Sequence, residues 1–118
     1  MAAPASGTIS FIEIGSADAE AIRTFFGTVF GWPSHDDAWL QTPTIKAGTH
    51  GDDPTPQIYV YFHASDLEAA AQSVRDAGGE ADDVVEEPGF GRFVNCRGPG
   101  GLQFGLHQQI GEPLSPSH

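Results

Sequence analysis

The hydrophobic pattern of this chain runs its course once and then begins again. Residues 8–15, TISFIEIG, alternate as a strand does, with Ile12 and Ile14 on one face and Ile9, Phe11 and Glu13 on the other. Ile22, Phe25, Phe26 and Val29 follow at helical spacing, which predicts an amphipathic helix with Asp18 in its first turn. Phe30-Gly31-Trp32-Pro33 stops that helix, because Gly and Pro both break helical geometry. From Gln57 the alternation returns: Ile58, Val60 and Phe62 share one face, and Tyr59, Tyr61 and His63 share the other. Ser65-Asp-Leu-Glu68 reads as a capping box, with Ser65 at the N-cap. Leu67, Ala70, Ala71 and Val74 repeat the helical spacing, and Ala77-Gly78-Gly79 closes the second helix.

Strands are predicted after each helix. Ala38–Gln41 and Thr44–Ala47 are short candidates in the first half. Glu80–Glu86, Phe90–Arg97 and Leu102–Gln108 are candidates in the second, separated by turns at Pro88-Gly89 and Gly98–Gly101. His50–Pro56 reads as a polar turn, residues 1–7 as a loose arm and Gly111–His118 as a frayed tail. Asp18 and Asp66 lie 48 residues apart, and the same offset superposes Phe11 on Tyr59, Glu13 on Tyr61 and Gly31 on Gly79. A constant offset with matching element order is the signature of an internal repeat. The expected fold class is α+β: two βαβββ modules, about 8–50 and 56–109, in a single domain over 1–118. They are expected to form a curved mixed sheet around a cavity, with helices on the outer face.

Composition narrows the function. Five Lys and Arg against sixteen Asp and Glu give a net charge of −11 over 118 residues. Such a chain is repelled by phosphate backbones and anionic membranes, so neither nucleic acid nor membrane is an expected partner. One cysteine, Cys96, excludes an internal disulfide and reads as an inert buried thiol. The opening MAAPASG has neither the basic nor the apolar run of a secretory signal, and the expected location is cytoplasmic. There is no G-x-G-x-x-G after a strand, no Walker lysine and no G-x-S-x-G elbow.

Several stretches, taken in order, resemble the vicinal oxygen chelate superfamily of glyoxalases, bleomycin-resistance proteins and extradiol dioxygenases. They are Phe11-Ile-Glu-Ile with Asp18-Ala-Glu-Ala, Phe25-Phe-Gly-Thr-Val-Phe-Gly-Trp32, Tyr59-Val-Tyr-Phe with Asp66-Leu-Glu-Ala-Ala, Gly89-Phe-Gly-Arg-Phe93, and Gly98-Pro-Gly-Gly-Leu-Gln-Phe-Gly-Leu106. The resemblance covers about residues 8–109. It implies a cavity within the sheet and a homodimer. In metal-dependent members of the superfamily, central strands supply His, Gln or Glu to a divalent ion. Those positions fall here on Phe11, Tyr59 and Gly105, with a fourth somewhere in 38–50. Phe and Gly offer no donor and Tyr a poor one, so no cofactor is expected.

Strand alternation gathers Phe11, Glu13, Tyr59, Tyr61, His63, Gln103, Gly105 and His107 on faces away from the helices. Aromatic walls with a few polar groups suit a small hydrophobic or aromatic molecule. Trp32, at the rim or a dimer seam, and Arg92, a clamp for an anion, complete the expected ligand-binding set. Glu13, beside apolar neighbours in mid-strand, is the candidate general base. The alternative reading is a metal-dependent lyase, isomerase or dioxygenase with non-standard ligands. His35-Asp36-Asp37 and His50-Gly-Asp52-Asp53 read as plain turns.

Overall fold

The computed structural model describes residues 6–109. The predicted loose arm as far as residue 5 and the predicted tail at 111–118 lie outside them. Contacts divide the chain into two compact units, Ser10–Val60 and residues 6–9 with 61–109.

The first unit is a βαβββ module. Strand β1 (Ile9–Gly15) leads into α1 (Ala19–Phe30), then β2 (Ser34–His35), β3 (Trp39–Gln41) and β4 (Lys46–His50). The spatial order is β2-β3-β4-β1, with β4 parallel to β1 and antiparallel to β3. Asp18 is the N-cap of α1, its side chain accepting from the Ala21 N–H at 3.1 Å. Gly31 closes the helix in the left-handed region (φ 73°), and its N–H reaches Gly27 O at 2.9 Å. Ile14, Ile22, Leu40 and Ala47 make the core, with Ile12, Phe26 and Trp32 packed against it. Ile12 and Ile14 therefore face α1, and Phe11 and Glu13 face away, as the alternation predicts.

The second unit repeats this plan with one strand more after its helix. Strand β5 (Gln57–His63), whose first four residues belong to the first unit, leads into α2 (Leu67–Asp76). Then come β6 (Glu80–Ala81), β7 (Val85–Glu87), β8 (Gly91–Arg97) and β9 (Gln103–Gln109). Strand β9 runs parallel to β5 and antiparallel to β8, and both β6 and β7 pair with β8. Ala64, Leu67, Ala71, Val94, Cys96 and Leu106 form its core under α2. The fold class is α+β, as predicted.

Four local expectations need correction. Asp66, not Ser65, caps α2, accepting from Ala69 N–H at 3.0 Å just as Asp18 does 48 residues earlier. The Ser65 N–H turns instead toward Ser6 Oγ. The predicted strand Glu80–Glu86 is two strands, Glu80–Ala81 and Val85–Glu87; between them Asp82 N–H donates to Asn95 O at 2.9 Å while its carboxylate takes the Arg97 guanidinium at 2.6 Å. Residues 6–7 are not loose: Gly7 N–H donates to His63 O at 2.8 Å. Strand β4 starts at Lys46 and ends on His50, so His50 is a ladder residue paired with Gly15.

The outer side of α1 is unusually apolar. Phe25, Val29 and Phe30 are more than half exposed. Phe25 and Ile58 border a groove of about 580 Å³ floored by Ile14, Ile22 and Phe26. Among the described residues, no helix is long and apolar enough to cross a membrane.

Candidate functional site

In the first unit, the face of the sheet opposite α1 holds a hydrogen-bonded row of ionisable groups. The β1–β4 register sets Glu13 against Gly48 and Gly15 against His50. Glu13 and His50 thus sit diagonally across the ladder, each facing a residue without a side chain. His50 Nδ1 lies 2.8 Å from Glu13 Oε2, and its Nε2 lies 2.9 Å from Asp53 Oδ2. The glycines are what permit this. A Cβ on Gly48 would stand 2.2 Å from Glu13 Oε1, and a Cβ on Gly15 would stand 2.2 Å from His50 Nε2. The Phe11 ring also lies over Gly48, its Cζ 2.9 Å from the same Cβ position.

The electrostatics follow from the bonding. Ionised carboxylates only accept, so both ring nitrogens of His50 must donate, and only the imidazolium does that. The bond to Glu13, and next the bond to Asp53, hold the His50 pKa above its ordinary value. Asp53 is held below the usual carboxylate range by His50, and further by the Thr55 N–H at 2.9 Å. Alongside, Trp39 pairs with Gly48, with the Lys46 ammonium 4.6 Å above its ring and His35 stacked 4.5 Å from it.

In the second unit, the face opposite α2 is aromatic. The β5–β9 register pairs Tyr61 with Gly105 and His63 with His107, and both histidines are buried. His107 stacks on Phe90 at 3.9 Å, and its Nε2–H donates to Phe90 O at 2.8 Å. Tyr61 stands edge-on to Phe90 (5.3 Å), Phe93 (6.0 Å) and His107 (6.2 Å). Edge-to-face pairs of this kind are worth about 0.5–1.5 kcal/mol each beyond burial.

The predicted ligand-binding residues therefore fall into separate groups. Phe11 and Glu13 share one face of the first unit, while Tyr61, His63 and His107 share one face of the second. Tyr59 is half-buried on β5, and Gln103 is exposed at the start of β9. Trp32 lies on the helix side, stacked on Phe26 (5.5 Å) and Phe30 (5.0 Å), away from Phe11. Arg92 binds Glu68 and donates to Gln108 Oε1 at 3.1 Å, which ties β8 and β9 to the start of α2. His50 and Asp53, read from the sequence as a plain turn, and Trp39, Phe90 and Phe93 fall outside the predicted ligand-binding set. The twin glycines Gly48 and Gly105, each opposite a central-strand residue that faces away from its helix, are the signal that points to them.

The residues present do not fit the superfamily's divalent ion. The Phe11 ring lies over Gly48, and Gly105 is buried with no side chain to offer. Neither carries a donor, and a hard cation needs several converging oxygen or nitrogen ligands. Among the described residues, no three His, Cys, Asp or Glu side chains are grouped to hold a metal ion.

No family model matches the sequence, and no curated protein matches it. Solved structures do. Methylmalonyl-CoA epimerase from Mycobacterium tuberculosis aligns over 92% of this chain and 93% of its own, at 16% identity and a TM-score of 0.69. A hypothetical protein from Bacillus halodurans aligns over 89% and 96%, at 10% identity and a TM-score of 0.71. Homoprotocatechuate 2,3-dioxygenase from Brevibacterium fuscum, in complex with 3,4-dihydroxyphenylacetate, aligns over 92% of this chain but 38% of its own. Its identity is 15% and its TM-score 0.66. An epimerase and a dioxygenase on one scaffold show that this architecture does not select a reaction. With two successive units that each run strand, helix and further strands, and with these neighbours, the chain has the vicinal oxygen chelate fold.

Proposed function

We propose that this protein binds a small aromatic or hydrophobic molecule, with no divalent metal at the superfamily's ligand positions. One observation carries the reading: Tyr61, Phe90, Phe93 and His107 converge on one sheet face beside Gly105, which contributes no side chain of its own. Such a surface gains affinity by stacking and apolar burial, and His63 adds a polar group beside it. In the first unit Phe11, Glu13 and Tyr59 offer a second contact set, with the Glu13 carboxylate as hydrogen-bond acceptor.

The test is a screen of aromatic fragments by ligand-observed NMR, followed by Tyr61→Ala and Phe93→Ala. Each substitution should weaken hits at least tenfold, roughly the 1.4 kcal/mol of one lost aromatic contact. Hits that bind both variants as tightly as the wild type overturn the assignment.

The exposed Phe25, Val29 and Phe30 on α1 support homodimerisation as the companion proposal, since contiguous apolar surface of this kind marks interfaces. Sedimentation of the wild type and Phe25→Ser, Val29→Ser tests it. A monomeric wild type ends it.

A further inference from the structure

We propose that Glu13, His50 and Asp53 form a proton-operated latch, which ties the turn at residues 51–56 to β1 when His50 is doubly protonated and lets it go when one proton leaves. The latch shares Glu13 with the second contact set above but is read from the protein alone and does not rest on the ligand reading.

The geometry leaves His50 two distinct states. With a proton on each nitrogen, the ring donates to Glu13 on β1 and to Asp53 in the turn. A neutral ring has one N–H, so one carboxylate then faces a lone pair and is repelled. The proton lost passes to solvent, since the His50 side chain is 42% exposed, and the trio goes from a net charge of −1 to −2. The contact to Glu13 is the shorter, 2.8 Å against 2.9 Å, and Asp53 has the Thr55 N–H to fall back on. The remaining proton therefore stays on Nδ1, and Asp53 is the partner released.

Every charged group near the ring fits this scheme. Glu13 faces it from β1 and Asp53 from the turn, with Gln57 of β5 reaching Asp53. Gly15 and Gly48 contribute no side chain. The unit's two cations are held elsewhere, Arg23 of α1 on Thr49 Oγ1 at 2.9 Å and Lys46 of β4 over Trp39. Among the described residues, no Lys or Arg is paired with either carboxylate. The turn has something to lose: Asp52 N–H reaches Ala17 O at 3.2 Å, and Asp53 N–H reaches Ser16 O at 3.0 Å. Asp52 also holds a left-handed conformation (φ 57°), which costs a non-glycine residue energy and favours opening once the side-chain tie is gone.

The test uses the full chain labelled with ¹⁵N. The imidazole nitrogens of His50 and the exchange protection of the Asp52 and Asp53 amides are followed from pH 5 to pH 9. Expected are two ring N–H groups at low pH, a midpoint above 6.5, and the Nδ1–H tautomer beyond it. Amide protection, corrected for intrinsic exchange, should fall at least tenfold with the same midpoint. His50→Gln should remove the pH dependence of protection, and Asp53→Asn should bring the His50 midpoint down. If His50→Gln does not fold, Asp53→Asn alone decides. An ordinary midpoint in the wild type, protection that stays level through the titration, or an unmoved midpoint in Asp53→Asn each overturns the latch.

Discussion

Gly48 stands directly across the parallel ladder from Glu13, and the Glu13 carboxylate occupies the space that a Cβ on Gly48 would take. The side chain of Glu13 thus lies flat over its neighbour strand, which is how it reaches His50. Gly48→Ala should push the carboxylate away, lower the His50 midpoint toward 6.5 and cost about 1–3 kcal/mol. Chemical denaturation and an imidazole titration measure the two effects. A variant with wild-type stability and midpoint would show that Glu13 is not held there.

The latch also fixes how stability depends on pH. His50 is raised in the folded state, so its contribution is complete below about 6.5 and fades as pH climbs through the folded value. Asp53 is lowered, so its contribution is present above about 3.8 and fades as pH drops through its folded value. Urea midpoints should accordingly decline between pH 6 and pH 8.5. The decline should be much shallower in His50→Gln.

Metal should leave the melting temperature unchanged. An ion that binds only the folded state at a hundred times its Kd adds about 2.7 kcal/mol, a shift easily seen for a domain of this size. Zn, Ni, Mn and Fe(II) should produce no such shift, and chelator should not reverse any. A stoichiometric, chelator-sensitive gain would replace the metal-free reading with the enzymatic one.

Matched helix caps give a direct check on the repeat. Asp18→Ala and Asp66→Ala each remove a side chain that accepts the N–H three residues on. Each should cost about 1 kcal/mol, and Asn at either position should restore most of it. Unequal losses beyond about 1 kcal/mol would mean that the two caps do different jobs.

Cys96 is 1% exposed, and burial pushes its thiol pKa up. In the native protein it should react with an aromatic disulfide reagent orders of magnitude more slowly than in urea. Fast native labelling would point to frequent opening of the second core.

Much of the fold is legible from local pattern alone. Both helices, and the split of β1 into an Ile12/Ile14 face and a Phe11/Glu13 face, follow from spacing. The candidate site is legible only in part, because its key pairing is not local. His50-Gly-Asp-Asp53 looks like any polar turn until β4 lies parallel to β1, a pairing that joins residues 37 apart in Glu13 and His50. The surroundings of Trp32 are illegible for a related reason. The left-handed turn at Gly31 folds it back onto Phe26 and Phe30, so it joins the helix-side core. Arg92 carries a charge suited to an anion, yet Glu68 and Glu86 from neighbouring elements already surround it.

The two registers correspond position by position. Glu13 opposite Gly48 and Gly15 opposite His50 in one unit answer to Tyr61 opposite Gly105 and His63 opposite His107 in the other. A ladder is built from backbone, so it preserves addresses while leaving their occupants open to change. In the first unit the shared Glu13/Tyr61 address holds a carboxylate, in the second a phenol. The histidine address holds His50, 42% exposed, in one unit and the buried His107 in the other. A module present twice therefore offers a second set of independently variable positions, and the pairs that differ between the units are where their surfaces diverge in chemistry.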